Sequence, residues 1–181
     1  MNRVRVVDEH PSELAEALRR FLFAAFEGAF EEEDFDHGVA GRSFLLEDAA
    51  GIVAHGSVVP RPLRCGPRVL RAGYVEAVAT RLDQRRRGHG RAIMRAIAAF
   101  IGETYELGAL SSAARGFYEP LGWELWRGPT GAAPTPTPEL AMGSQPTPDD
   151  DGGIFILRTP TTPPIDLDGP IVCGWREGDV W

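Results

Sequence analysis

The chain has 181 residues, 43% hydrophobic and 25% charged, with a formal net charge of −7 and no lysine. This is the composition of a folded protein long enough for one domain, and it holds neither a membrane-length apolar run nor a signal peptide's apolar core, so a cytoplasmic protein is expected. An acidic balance argues against general nucleic-acid binding, whose affinity rests on neutralising phosphates, and suits a cationic small molecule.

In chain order, residues 3–7 alternate as a first strand. Ser12 then reads as an N-cap ahead of Leu14, Leu18, Phe21, Leu22, Ala25 and Phe26, the spacing of an amphipathic helix. Glu27, Glu31, Glu32, Glu33, Asp34 and Asp36 place six carboxylates within ten positions. They read either as a solvated loop kept open by repulsion or as a flexible acidic lid over a cationic substrate. Residues 43–47, 52–59 and 69–80 read as three antiparallel strands joined by turns at Asp48-Ala49-Ala50-Gly51 and at 64–68.

Strand character up to Thr80 gives way to a helical spacing at Ile93, Ile97 and Phe100 or Ile101. Between them lies Arg85-x-x-Gly88-x-Gly90. Gly88 and Gly90 lack Cβ atoms, so an anion can approach the backbone and the chain can take positive φ. N–H groups at Arg87, Gly88, His89, Gly90 and Arg91 are the unpaired donors of a helix start, favoured by the helix dipole, which makes a pyrophosphate cradle. No Lys-Ser/Thr follows, as a P-loop requires, and a Rossmann fingerprint wants three glycines. The alternative is an ordinary arginine-rich helix start.

Leu107 to Ser111 has buried-strand character, and residues 112–118 are expected to begin another helix that ends at Leu121-Gly122-Trp123, with Gly122 at its C-cap. The stretch 129–148 shifts to Pro, Thr, Ala and Gly and reads as an irregular excursion within a single domain over 1–181. Residues 154–157 are the last expected strand. The tail keeps Trp175 and Trp181 with Glu177 and Asp179, aromatic residues that need burial or a ligand. Cys65 and Cys173 are too few and isolated for a zinc site or disulfide framework, and no metal is expected.

Strand-Arg85-x-x-Gly88-x-Gly90-helix, followed by Phe117-Tyr118-Glu119-Pro120-Leu121-Gly122-Trp123, resembles the GNAT superfamily of acyl-coenzyme A N-acyltransferases. Gly73-Tyr74-Val75-Glu76-Ala77-Val78-Ala79, Leu107-Gly108-Ala109-Leu110-Ser111-Ser112, Asp149-Asp150-Asp151 and Cys173-Gly174-Trp175-Arg176-Glu177-Gly178-Asp179-Val180-Trp181 look like the aminoglycoside 2′-N-acetyltransferases of actinobacteria. The likeness covers nearly the whole chain.

The resemblance implies an α/β (α+β) GNAT fold: a strongly bent mixed sheet flanked by helices, with acetyl-coenzyme A (acetyl-CoA, the cosubstrate) lodged where two parallel strands, 69–80 and 107–111, splay apart. By similarity the backbone of Val78, Ala79 and Thr80 holds the pantetheine arm, and Arg85, Arg86, Arg87, Gly88, His89, Gly90 and Arg91 hold the pyrophosphate. Glu76 takes the proton of the attacking amine, with a solvent-side strand carboxylate as the bland alternative. A backbone N–H close to Val78 polarises the thioester oxygen. Tyr118 protonates the departing thiolate; a core aromatic is the alternative reading. No nucleophile is needed, so Cys65 is expected to be structural and transfer to be direct, in a ternary complex.

Glu76, Ala77, Ser111, Asp150, Asp179 and the carboxylate of Trp181 would contact the aminoglycoside. Related enzymes place an aspartate where Ala29 aligns, which leaves one ammonium contact missing or supplied by Glu27, Glu31, Glu32 or Glu33. A GNAT acyltransferase for another polyamine or cell-wall amino sugar, and a non-catalytic binding protein, stay open as alternatives. A homodimer is expected from the related enzymes.

Overall fold

The computed structural model describes residues 3–137 and 143–181. The centre of the Pro/Thr-rich stretch, 138–142, lies outside the described residues. In chain order the elements are β1 (Arg5–Val7), α1 (Ser12–Ala25), α2 (Glu32–Val39), β2 (Arg42–Asp48), β3 (Gly51–Cys65), β4 (Arg68–Thr80), α3 (His89–Thr104), β5 (Leu107–Ser111), α4 (Arg115–Tyr118), β6 (Glu124–Leu125), β7 (Thr130–Ala133), β8 (Gln145–Pro146), β9 (Ile154–Arg158) and β10 (Ile171–Gly174). The strands run β6-β9-β5-β4-β3-β10-β7-β8, with β2 also on β3 and β1 on β2. The sheet is mixed: β4–β5 and β7–β10 are parallel, whereas β1–β2, β2–β3 and β5–β9 are antiparallel. The chain folds as two compact units, Met1–Val59 with Val75–Ala99, and Pro60–Tyr74 with Phe100–Trp181.

In the first unit α1 buries Leu18, Leu22 and Ala25, one stripe of the helix, against Phe30, Phe35, Leu45, Ile52 and Ala79. Truncating Leu18 or Leu22 to Ala would cost about 2–5 kcal/mol. Ser12 is not the N-cap. Pro11 precedes the helix at φ −52°, and its carbonyl accepts the Ala15 N–H at 2.9 Å, so ring-fixed geometry opens the helix without a side-chain cap. The acidic run is no open loop either. Glu31 and Asp34 form a reciprocal capping box at the start of α2, Glu32 pairs with Arg19, and Phe35 is buried. These contacts, with anionic side chains at a helix N-terminus, overcome the repulsion that favoured a loop.

β3 extends beyond the expected end at residue 59, through Pro60 and Pro62, to Cys65. Arg61, Leu63 and Cys65 are buried while Pro60 and Pro62 fall on the opposite, more open side, so the period-2 pattern survives the prolines. In β4, Ala77 has φ +49° in the middle of the strand. Gly38 of α2 makes room for it: a Cβ on Gly38 would lie 2.9 Å from Ala77 Cβ.

In the second unit β5 has the expected bounds. It pairs with β4 over Ala72, Gly73 and Tyr74 only, after which β4 runs on to Thr80. Its other edge pairs with β9. The helix expected from residue 112 is a single turn, α4, continued by a 3-10 turn at Glu119–Leu121, because Pro120 has no N–H for the next α-helical bond. Gly122 ends it at φ +89°, as a left-handed cap. The stretch expected to be irregular contains β7, which is buried and parallel to β10; Gly131, Ala132 and Ala133 are small enough to pack there. β10 also corrects the expectation that β9 is the last strand.

Candidate functional site

β4 carries Glu76, Ala77, Val78, Ala79 and Thr80, with Glu76 mid-strand. Glu76, Ala77 and Val78 are half-buried, and Ala79 is buried in the first unit's core. The main chain here is tied from below: Ser57 Oγ donates to the Glu76 carbonyl at 3.3 Å, and His55 Nδ1 lies 2.8 Å from the Ala77 carbonyl. Arg81, just past the strand, donates to Asp48 at 2.7 and 3.2 Å and to Asp83 at 2.8 Å, which holds both carboxyls below the usual carboxylate range.

Arg86 at φ +62° and Gly88 at φ +87° turn the chain into α3. The Gly88 carbonyl accepts the Ala92 N–H at 3.0 Å, so the N–H groups of His89, Gly90 and Arg91 are left without an intrahelical acceptor. Gly90 lies inside the helix and needs no positive φ. Arg86, Arg87 and Arg91 are exposed around this helix start. Arg85 is turned back onto the protein: its guanidinium donates to the Ala25 carbonyl at 2.6 Å and reaches Glu27 at 3.5 Å and the Thr80 carbonyl at 3.4 Å. A helix N-terminus with open donors, no Cβ at Gly88 and three exposed arginines suits a pyrophosphate.

In the second unit Tyr118 is buried among Phe117, Trp123 and Phe155, with ring centroids 4.9, 6.3 and 5.8 Å away. Burial pushes its phenol up to about 12 against the opposing hydrogen bond to Ser112, so it stays protonated. Ser111 ends β5 opposite Ile154 and is exposed. Asp150 is half-buried on a 3-10 turn, Pro148–Asp150, and its carboxyl is raised by burial and by Asp179, Asp149 and Asp151, against a lowering hydrogen bond from Thr147. The fold thus brings Asp150 and Asp179 within electrostatic reach although they lie far apart in sequence.

Trp181 is buried and its main-chain N–H donates to Asp179 Oδ1 at 3.3 Å, while Trp175 is exposed. Arg176 Nη2 donates to the Trp181 carbonyl at 3.3 Å. Arg61 is buried, donates to the Gly174 carbonyl at 2.9 Å and to that of Val180, and stacks over Tyr74 and Trp181. Sequence reasoning missed Arg61 and the His55 chain, for which a buried-strand pattern holding a lone Arg or His was the available signal, and the contacts of Arg176 and Thr147, for which there was none. Cys65 is buried and its thiol is pushed up to about 12, which leaves no thiolate for nucleophilic attack near neutral pH. Glu27 pairs with Arg85, Glu31 caps α2 and Glu32 pairs with Arg19, while Ala29 is exposed.

Residues 10–126 match the family described as an acetyltransferase (GNAT) domain. The chain belongs to the GNAT acetyltransferase family. It is 39% identical over 173 residues to the aminoglycoside 2′-N-acetyltransferase of Mycolicibacterium fortuitum, covering 93% of this chain and 86% of that protein. A GNAT-family N-acetyltransferase of Escherichia coli, solved in complex with coenzyme A, aligns with a TM-score of 0.63 at 14% identity over 96% of this chain and 91% of that one. A GCN5-related N-acetyltransferase from Kribbella flavida aligns with a TM-score of 0.58 at 22% identity over 71% of this chain, which spans only 34% of that protein. This acetyltransferase therefore has the GNAT fold expected from its motifs. Among its described residues no helix is long and apolar enough to cross a membrane.

Proposed function

We propose that this acetyltransferase transfers the acetyl group of acetyl-CoA to the 2′-amine of aminoglycosides, directly and in a ternary complex, and so confers resistance. The observation that carries the reading is the Asp150–Asp179 pair: burial and mutual repulsion raise the Asp150 carboxyl, a penalty that a multiply charged ammonium ligand relieves. The 39% identity to a protein bearing that name supports it. Asp150, Asp179, Ser111 and Trp181 would hold the sugar rings, with Ala77 beside the acceptor amine.

Val78 and Thr80 main-chain groups would take the pantetheine arm, since β4 continues beyond its pairing with β5 and leaves strand donors and acceptors to be completed. Arg86, Arg87, Gly88, His89, Gly90 and Arg91 would take the pyrophosphate, with Arg85 fastening the turn. Glu76 would accept the amine proton through a water, the new N–C bond forming as the C–S bond breaks. Tyr118, held neutral, would donate its hydrogen to the leaving thiolate. Complete transfer to a thiolate of ordinary pKa, about 8.5, is uphill from a phenol near 12, so stabilisation through the O–H bond comes first.

Thiol release from acetyl-CoA, compared between an aminoglycoside with a 2′-amine and an analogue with a 2′-hydroxyl, tests the proposal. Turnover with the amine alone is expected; none with either, despite coenzyme binding, would move the search to other amines.

A further inference from the structure

A buried hydrogen-bond chain lies beneath the strained point of β4. His10 Nε2 is 2.8 Å from Ser43 Oγ, Ser43 Oγ is 3.0 Å from His55 Nε2, and His55 Nδ1 is 2.8 Å from the Ala77 carbonyl. Its hydrogens can be placed by chemistry alone. A carbonyl only accepts, so His55 Nδ1 carries the hydrogen; neutral His55 then accepts at Nε2, Ser43 donates to it, and His10 Nε2–H donates to Ser43. His55 and Ser43 are fully buried. The chain ends on a carbonyl, so it passes no proton onward and its consequence is geometric.

Ala77 adopts φ +49° in mid-strand, a conformation that costs a residue with a Cβ atom and must be held by its surroundings. The Ala77 carbonyl and the Val78 N–H belong to one planar trans peptide and point in opposite directions. A bond that fixes the carbonyl toward His55 therefore fixes the Val78 N–H away from it. Ser57 fixes the preceding peptide in the same way through the Glu76 carbonyl.

We infer that His55, braced by Ser43 and His10, is a positioning residue for acetyl transfer: it orients the Ala77–Val78 peptide so that the Val78 N–H meets the developing negative charge on the thioester oxygen. This rests on the acetyl-transfer reading above. It predicts a loss in kcat rather than in KM, because the aim of a donor matters most where charge develops.

The test pairs kinetics with an observation that needs no turnover. His55→Asn keeps a donor near the Nδ1 position, His55→Leu removes it, and Ser43→Ala removes the brace. Expected are a kcat for His55→Leu roughly 10- to 100-fold below wild type, with KM for acetyl-CoA unchanged, a loss of a few-fold for Ser43→Ala, and His55→Asn within a few-fold of wild type. Nitrogen-15 NMR should show the Nδ1–H tautomer of His55, and the Val78 amide resonance should move in His55→Leu and stay in His55→Asn. Wild-type protein with no turnover would overturn the substrate reading while the NMR still decides the positioning. An Asn variant as impaired as the Leu variant, an unmoved Val78 amide, or an Nε2–H tautomer would overturn the inference. If the Leu variant fails to fold, Asn and Ser43→Ala carry the comparison.

Discussion

The indole Nε1 of Trp181 donates to Thr147 Oγ1 at 3.0 Å, and the same hydroxyl holds down the Asp150 carboxyl against the upward push of burial. One threonine thus joins the buried tail to the turn that carries Asp150.

Thr147→Val keeps the shape and removes the hydroxyl. It leaves the Trp181 N–H without its acceptor at about 1–3 kcal/mol. Steady-state kinetics should show KM for the amine rising roughly ten-fold with KM for acetyl-CoA unchanged, about 1.4 kcal/mol of that range. An equal rise in both would contradict the link to the acidic pair.

At Gly88 a Cβ would meet no protein atom within 4 Å, so Gly88→Ala tests the φ of +87°, which costs an L-residue about 1–2 kcal/mol, together with the close approach of the pyrophosphate to the backbone. Weaker acetyl-CoA binding by calorimetry is the expected outcome. Gly102→Ala, equally open but within α3 and without a positive φ, should leave binding unchanged and stabilise the helix by about 0.5–1 kcal/mol.

Tyr118→Phe should reduce kcat by roughly 10²–10⁴-fold and leave coenzyme binding intact, as measured by stopped-flow and calorimetry. The phenol also shapes alkaline stability. Unfolded tyrosine ionises near 10 and folded Tyr118 near 12, so its contribution is complete below 10 and is lost as pH rises toward 12. Cys65, pushed up to about 12, and Cys173, pushed up to about 11, add losses of the same sign from pH 9. Urea midpoints in this range should fall less steeply for Tyr118→Phe.

Acid acts through His55. Burial lowers it from 6.5 to about 4, against the bond to Ala77. Above 6.5 both folded and unfolded forms are neutral and the stability is complete; below it the unfolded chain takes a proton that the folded one refuses until about pH 4. The loss across that window is about 3 kcal/mol. His10, lowered by burial against the pull of Asp8, adds to it. Urea unfolding from pH 7.5 to 4.5 should show the slope, flattened in His55→Asn.

Much of the architecture was legible because local and tertiary preferences coincide in it. β5 is a run of small and apolar residues buried along almost its whole length, α3 follows its apolar period, and Gly122 closes its turn where a left-handed residue was expected. Other parts depend on partners distant in sequence. β7 is made of residues with little strand preference and exists because β10 pairs with it some forty residues later, as Ile171 opposite Thr130 shows. The left-handed turn at Ala77 carries no glycine to announce it; His55 and the gap at Gly38 impose it. The site divides the same way: the glycine turn and Tyr118 announce themselves by motif, whereas the proximity of Asp150 to Asp179 and the engagement of Arg85 by Ala25 arise only on folding.

The most direct measurement is the position of the acetyl group in the product, assigned by two-dimensional NMR after incubating the enzyme with acetyl-CoA and an aminoglycoside that offers several amines. A single acetamide on the 2′-nitrogen is expected. Acetylation at another amine, or a mixture without preference, would contradict it.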